Sequence, residues 1–267
     1  MDLSNIKMVV TDMDGTLLNS SHEVSPLFFE LFEELRKRDI LFVAASGRQH
    51  SSIVNKLHPI KDDIVVIAEN GGFMMQREQE LLATPLDRDT LSKLLKIVSQ
   101  IEGAYPVFCG KNDAFLKGDS EHFIEMLKQY YSEFTLVEDL MDYHGEILKI
   151  AVYHFINSEQ HIYPAVMHLE DELKVKVSGE NWVDLSHKNA NKGFAVKKLQ
   201  EENNIHPNET LVFGDYNNDL EMLGRAHFSF AMANAHPNVL KAANYRTLSN
   251  DEFGVEKVLE QLLSHKS

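Results

Sequence analysis

The chain is predicted to fold as an α/β protein, a doubly wound core on a parallel sheet interrupted by an inserted α+β domain. Two observations carry this. The runs Ile6 to Val10, Ile40 to Ala45, Ile64 to Ala68 and Thr210 to Phe213 are apolar almost throughout and do not alternate with polar residues, the pattern of strands covered by helices on both faces. From about Thr84 to Val183 the pattern changes to short runs, and Lys174-Val175-Lys176-Val177-Ser178 alternates polar with apolar, as a strand with one wet face does in an antiparallel sheet. The core is therefore assigned to residues 1–83 plus 184–267, and the insertion to residues 84–183.

The first run leads into Asp12-Met13-Asp14-Gly15-Thr16, two carboxylates at a strand end before a glycine that lets the backbone turn sharply. Ser25-Pro26 offers an N-cap and a proline at the first helical position, and Leu27, Phe28, Leu31, Phe32 and Leu35 then recur at helical spacing. The second and third runs end in Ser46-Gly47-Arg48 and Glu69-Asn70-Gly71-Gly72. In the insertion, Leu91, Leu94, Leu95 and Val98 mark one helix, and further helices are expected over Ser120 to Tyr131 and Ser158 to Asp171. Strands are expected near Tyr105 to Cys109, Ala114 to Lys117, Phe134 to Val137 and Ile147 to Phe155. The core pattern resumes with a helix from about Asn191-Lys192-Gly193 that carries Ala195, Val196 and Leu199 inward. The strand Thr210 to Phe213 ends in Gly214-Asp215-Tyr216-Asn217-Asn218-Asp219, and Phe228 to Met232 reads as one more core strand. A last helix presents Val255, Val258, Leu259, Leu262 and Leu263 on one face.

Composition narrows the partners. With 267 residues, 43% of them hydrophobic, the chain can bury a sizeable core. Acidic residues outnumber basic ones, 41 to 26, and a formal charge of −15 opposes non-specific binding to nucleic acid or anionic lipid. No apolar run approaches the length of a membrane span, and Met1-Asp2-Leu3-Ser4-Asn5 has neither a basic nor an apolar leader region, so a cytoplasmic protein is expected. The single cysteine, Cys109, sits beside Val107 and Phe108 and reads as a packed thiol. The 13 histidines form no His-Glu-x-x-His pattern, which leaves a zinc site without support.

Ligands of an open parallel sheet bind at the carboxyl ends of its strands, so Asp12, Asp14, Ser46 and Asp215 are expected to converge there. Clustered carboxylates repel, and the usual remedies are a bound cation or a raised pKa; oxygen-only donors favour Mg²⁺. Lys192 would add a fixed positive charge. Such a set suits phosphoryl transfer, in which a carboxylate can attack phosphorus and split one hard hydrolysis into two easier steps. Enzymes accelerate phosphate-monoester hydrolysis by up to roughly 10²¹-fold. One acid-base group supplies only about 10²- to 10⁴-fold, so nucleophile, lysine and metal must act together.

Taken in order, Asp12-Met13-Asp14-Gly15-Thr16, Ser46-Gly47-Arg48, Lys192-Gly193 and Gly214-Asp215 with Asp219 resemble the four motifs of the haloacid dehalogenase superfamily of phosphotransfer enzymes. The insertion between the second and third motifs resembles the Cof-like branch with a type II-B cap, as do Glu69-Asn70-Gly71-Gly72 and the run Asn218 to Leu223. The resemblance implies a Rossmann-like core with a cap, and a Mg²⁺-dependent phosphatase of small phosphorylated metabolites, sugar phosphates among them. Because the insertion leaves the core soon after Asn70 and returns just before Lys192, it is expected to be a mobile cap that closes over the site and selects the substrate. It makes Asp12 the nucleophile and Asp14 the general acid, then base. Ser46 hydrogen-bonds the phosphoryl group and Lys192 neutralises it. Asp215 binds Mg²⁺ with Asp12 and the backbone carbonyl of Asp14, while Asp219 holds the metal's waters or joins its ligands. Gly15, Gly47, Arg48, Asn70 and Asn218 complete the candidate phosphate- or substrate-binding set. The chain is expected to act alone or as a weak homo-oligomer.

Each piece alone has a plainer reading. Ser46-Gly47 is equally a helix N-cap, Lys192 a solvated first-turn lysine, and Asp219 a cap for the helix that follows. Shared order and strand-end placement weigh against these. A phosphomutase of the same superfamily stays open, since it uses the same nucleophile and acid. A receiver-like phosphate-binding module also clusters Asp, Ser or Thr and Lys, but lacks an acid two residues past the nucleophile and a cap. Lys149, Glu180 and Trp182 lie in cap segments that could face the crevice.

Overall fold

The structure, a computed structural model, describes residues 1–111, 113–129 and 133–265. It divides into two compact units, Met1–Leu82 with Asn191–Ser267, and Ala83–Ala190. The chain begins with β1 (Met8–Asp12), α1 (Pro26–Lys37), β2 (Leu41–Ala45), α2 (His50–Lys56), β3 (Val65–Ala68), β4 (Phe73–Gln76) and β5 (Gln79–Ala83). The inserted unit contributes α3 (Arg88–Val98), β6 (Ala104–Cys109), β7 (Ala114–Lys117), α4 (Glu121–Leu127), β8 (Thr135–Val137), β9 (Lys149–His154), α5 (Ser158–His161), α6 (Tyr163–Val166), β10 (Leu173–Gly179) and β11 (Trp182–His187). The first unit is completed by α7 (Lys192–Asn203), β12 (Thr210–Gly214), α8 (Leu220–Leu223), β13 (Phe228–Ala231), α9 (Pro237–Ala242), β14 (Tyr245–Arg246) and α10 (Gly254–His265).

The core sheet runs β14-β13-β12-β1-β2-β3-β4-β5, parallel from β14 through β3, with β4 antiparallel to β3. β1 lies centrally and is buried along its whole length, as the apolar Met8, Val9 and Val10 require. Ser25 starts α1: its Oγ accepts the Phe28 N–H at 3.1 Å, with Pro26 in the first turn. That start sets Phe28, Phe32 and Leu35 on the buried face, where the Phe28 and Phe32 rings lie 5.1 and 5.8 Å from Phe42 of β2. Each such buried side chain contributes roughly 1.5–3 kcal/mol relative to exposure.

The inserted unit is a six-stranded sheet, β10-β11-β9-β6-β7-β8, antiparallel except for the β7–β8 pair. Its two faces hold separate cores, because alternate residues of one strand point to opposite sides. Ile150 and Val152 pack with Leu91, Leu94 and Val98 of α3, whereas Ala151 and Tyr153 pack with Phe123 and Leu127 of α4. Trp182 belongs to the second core, 4.8 Å from Tyr153, and Cys109 is buried there. Lys149 pairs with Asp184 across adjacent strands at 3.3 Å.

Several elements differ from expectation. The boundary at residue 184 falls inside β11, whose pairing with β9 and β10 continues to His187, so residues 184–190 belong to the insertion. The helix expected from Ser158 to Asp171 is broken into α5, α6 and a 3-10 turn over Met167–Leu169. Pro164 explains the first break, since it has no N–H to give the Gln160 carbonyl and its ring would collide with it. α4 spans Glu121–Leu127; the expected end of that helix, at Tyr131, lies outside the described residues. The hairpin of β4 and β5 was not foreseen. Its turn holds Arg77 at φ 55° with no glycine or asparagine in Arg77-Glu78, so the usual hairpin signal is missing. No helix among the described residues is long and apolar enough to cross a membrane.

Candidate active site

Asp12 is the last residue of β1, and its neighbours in the sheet are β2 and β12. Ser46 follows the end of β2 and Asp215 the end of β12, so parallel pairing alone sets these three side by side at the carboxyl ends of adjacent strands. α7 contributes Lys192 from its first turn, placed by the Asn191 side chain, which accepts the Phe194 N–H at 2.8 Å.

Lys192 is fully buried, and its Nζ donates to Asp12 Oδ1 at 2.5 Å and to Asp219 Oδ1 at 2.7 Å. The other oxygen of Asp219 accepts the backbone N–H groups of Asp215 at 2.9 Å and Tyr216 at 3.1 Å. Both oxygens of Asp219 are thus engaged within the protein. Asp12 is different: its Oδ2 is buried and has no hydrogen-bond partner. Such an orphaned carboxylate oxygen is rare in a folded interior and asks for a ligand.

Asp12, Asp215 and Asp219 bring carboxylate oxygens within 4.8 Å of one another. Burial, then the charge of Asp219, pushes the Asp12 carboxyl up to about 8, and the same two causes push Asp215 up to about 6. Burial alone would lower Lys192, but the carboxylates of Asp12 and Asp219 hold it above the ordinary lysine value. An excess of negative charge at an all-oxygen set fits a hard divalent cation such as Mg²⁺. The carboxylates that could hold it are those of Asp12 and Asp215, while both oxygens of Asp219 are taken up by Lys192 and the loop.

Asp14 stands apart from this cluster. Arg48 grips both of its oxygens, Nε to Oδ2 at 2.7 Å and Nη2 to Oδ1 at 2.6 Å, and His22 Nδ1 lies 3.4 Å from Oδ1. Burial works to raise the Asp14 carboxyl, but the Arg48 fork, then His22, hold it below the usual carboxylate value. Arg48, expected as a phosphate ligand, is therefore seen on Asp14. Ser46 Oγ accepts the Arg48 N–H at 3.1 Å and is itself buried. Asn70 and Asn218 meet each other, Asn218 Nδ2 donating to Asn70 Oδ1 at 3.0 Å. Gly15 has φ +78°, and a Cβ there would lie 2.3 Å from Asp215 Oδ2, so this glycine makes room for the carboxylate.

Two neighbours carry contacts to which the sequence assigned no role. Thr16 Oγ1 donates to Asp215 Oδ1 at 3.4 Å, and its place directly after Gly15 was the available signal. His22 reaches Asp14 from a turn in which it adopts φ 57°, and nothing in its local pattern announces that.

The haloacid dehalogenase-like hydrolase family matches residues 9–259. The chain is 29% identical over 270 residues to 5-amino-6-(5-phospho-D-ribitylamino)uracil phosphatase YbjI of Escherichia coli, covering 98% of both proteins. Among solved structures, a protein of Streptococcus mutans matches with a TM-score of 0.84 at 30% identity, over 97% of this chain and 99% of that one. A protein of Thermotoga maritima matches with a TM-score of 0.86 at 26% identity, over 96% and 97%. The four motif stretches all fall inside the matched residues, and the chain belongs to the haloacid dehalogenase-like hydrolases, in their Cof-like branch.

Proposed function

We propose that the chain is a Mg²⁺-dependent phosphatase of small phosphorylated metabolites, sugar phosphates among them, acting through an aspartyl-phosphate on Asp12. The observation that carries this reading is the free, buried Oδ2 of Asp12, beside a fully buried lysine and two residues before a second acid. Relatives named as phosphatases, including those of Escherichia coli and Bacillus subtilis, support the reaction class. The reading carries with it a cytoplasmic location.

Asp12 Oδ2 attacks phosphorus, the bond to the leaving oxygen breaks, and Asp14 gives that oxygen a proton. Water then attacks the phosphoryl group, Asp14 takes the water's proton, and the bond to Asp12 breaks to release phosphate. Lys192 holds Asp12 in line and offsets the charge of the transferring group, with Ser46 Oγ as a further partner. Asp14 can serve as acid only when the Arg48 fork lets it go, and a phosphate dianion is a natural competitor for that fork. Asp12 and Asp215 would hold Mg²⁺, which when bound supplies the positive charge that lets a carboxylate approach an anionic phosphate.

Phosphate release should be measured over a panel of phosphorylated metabolites, including the ribitylaminouracil phosphate named for the Escherichia coli relative, with Mg²⁺ and with EDTA. Turnover that needs Mg²⁺, requires no bisphosphate activator and vanishes in a folded Asp12→Asn variant is expected. Near-wild-type release by that variant would rule the nucleophile out, and full activity in chelator would remove the metal.

A further inference from the structure

We propose that Asn70 is a positioning residue, whose left-handed corner locks together the loops that carry Ser46, Asn218 and Lys192. This rests on the phosphotransfer reading of the site. Three successive residues leave the ordinary backbone regions here: Glu69 at φ 50°, Asn70 at φ 54° and Gly71 at φ 98°. Glycine adopts such values freely and asparagine tolerates them, but a run containing two non-glycine residues is strained. Strain of this kind survives where surrounding contacts over-determine it, and it gathers at functional sites.

The contacts are on all sides. Asn70 N–H donates to the Ser46 carbonyl at 2.9 Å and Glu69 N–H to the Arg48 carbonyl at 3.0 Å, so the corner prolongs the β2–β3 pairing beyond both strands and fixes the Ser46-Gly47-Arg48 loop. The Asn70 side chain lies where a Cβ on Gly47 would come within 2.9 Å of its Nδ2, which requires glycine at position 47 for space. Its Oδ1 takes the hydrogen bond from Asn218, in the loop that follows β12. At Gly71 a Cβ would lie 2.3 Å from the Asn191 carbonyl and 2.7 Å from the Lys192 nitrogen, so backbone meets backbone at the start of α7. One corner therefore touches the carriers of a hydroxyl, an amide and an ammonium that come from distant parts of the chain. A misplacement of about 1 Å in such groups can cost up to about 10²-fold in rate. Asn70 thus acts through its neighbours, and its Oδ1 is engaged with Asn218 instead of being open to substrate.

Asn70→Gly keeps the left-handed corner and removes the amide, and Asn218→Ala removes the other half of the bond. Both variants and their combination should be assayed with para-nitrophenyl phosphate and Mg²⁺, and the side-chain amide NMR signals of Asn218 compared between wild type and Asn70→Gly. Each single change is expected to lower kcat about tenfold with KM within about twofold, and the pair to lose no more than the worse single, because both remove one brace. Asn218 signals should shift in Asn70→Gly. Wild-type kcat in Asn70→Gly, or losses that multiply in the pair, would overturn the proposal. Should wild type release no phosphate, the functional reading fails instead, and unmoved Asn218 signals would then overturn the brace independently.

Discussion

Asp219 has both carboxylate oxygens engaged inside the protein. One oxygen faces Lys192 and the other two backbone N–H groups, all in a place with no solvent exposure. Asp219→Ala takes one of two carboxylate partners from a buried ammonium and leaves two backbone donors unpaired, and should lower stability by about 3–5 kcal/mol, read as a fall in the denaturation midpoint. Unchanged stability would show that Lys192 is held by Asp12 alone. Arg48 makes a prediction of opposite character. Because it keeps the folded-state pKa of Asp14 below the unfolded value, it contributes stability that is present above the ordinary carboxylate range and lost as pH falls through the folded value. Arg48→Met should therefore lower Tm at neutral pH and flatten its decline below about pH 4, and parallel Tm curves for the two proteins would contradict this. At this scale the sequence was most legible for placement: Asp12, Asp215 and Lys192, expected together at one end of the parallel sheet, meet there. It was least legible for Arg48 and His22, because a cation near a phosphate site and a cation on a carboxylate look alike until distances are known.

Elements were legible in proportion to how completely they are buried. β1, β2, β3 and β12 are covered on both faces, so their runs are apolar almost throughout and mark them to within two residues. The β4–β5 hairpin lies at the sheet edge, where Gln79 and Glu80 are exposed, and no run separates it from a loop. Ser25 illustrates a link between elements that no local pattern contains: besides capping α1, its Oγ donates to Glu256 Oε1 of α10 at 2.5 Å, and Glu256 is buried. Ser25→Ala should thus cost more than the roughly 1 kcal/mol typical of a lost cap, nearer 2–3 kcal/mol, because a buried carboxylate is left short of a donor. A midpoint shift no larger than that of an ordinary cap variant would mean that Glu256 finds another partner.

At the scale of the whole chain, each unit has its own sheet and its own apolar interior, so destabilisation should stay local. Val152→Ala removes buried methyl groups from the insertion and should speed amide hydrogen exchange across residues 83–190 while leaving β1 and β12 as protected as before. Equal loss of protection in β1 would show that the two units unfold as one. The central place of β1 also has a consequence for synthesis. Its two neighbours are β2, which follows within 30 residues, and β12, which begins some 200 residues later. At about 5–20 residues per second, translation leaves one edge of this fully buried strand unpaired for roughly 10–40 s, with the entire insertion already emerged. This topology is thus more exposed to edge-to-edge aggregation on the nascent chain than in the folded protein, where β12 covers that edge of β1.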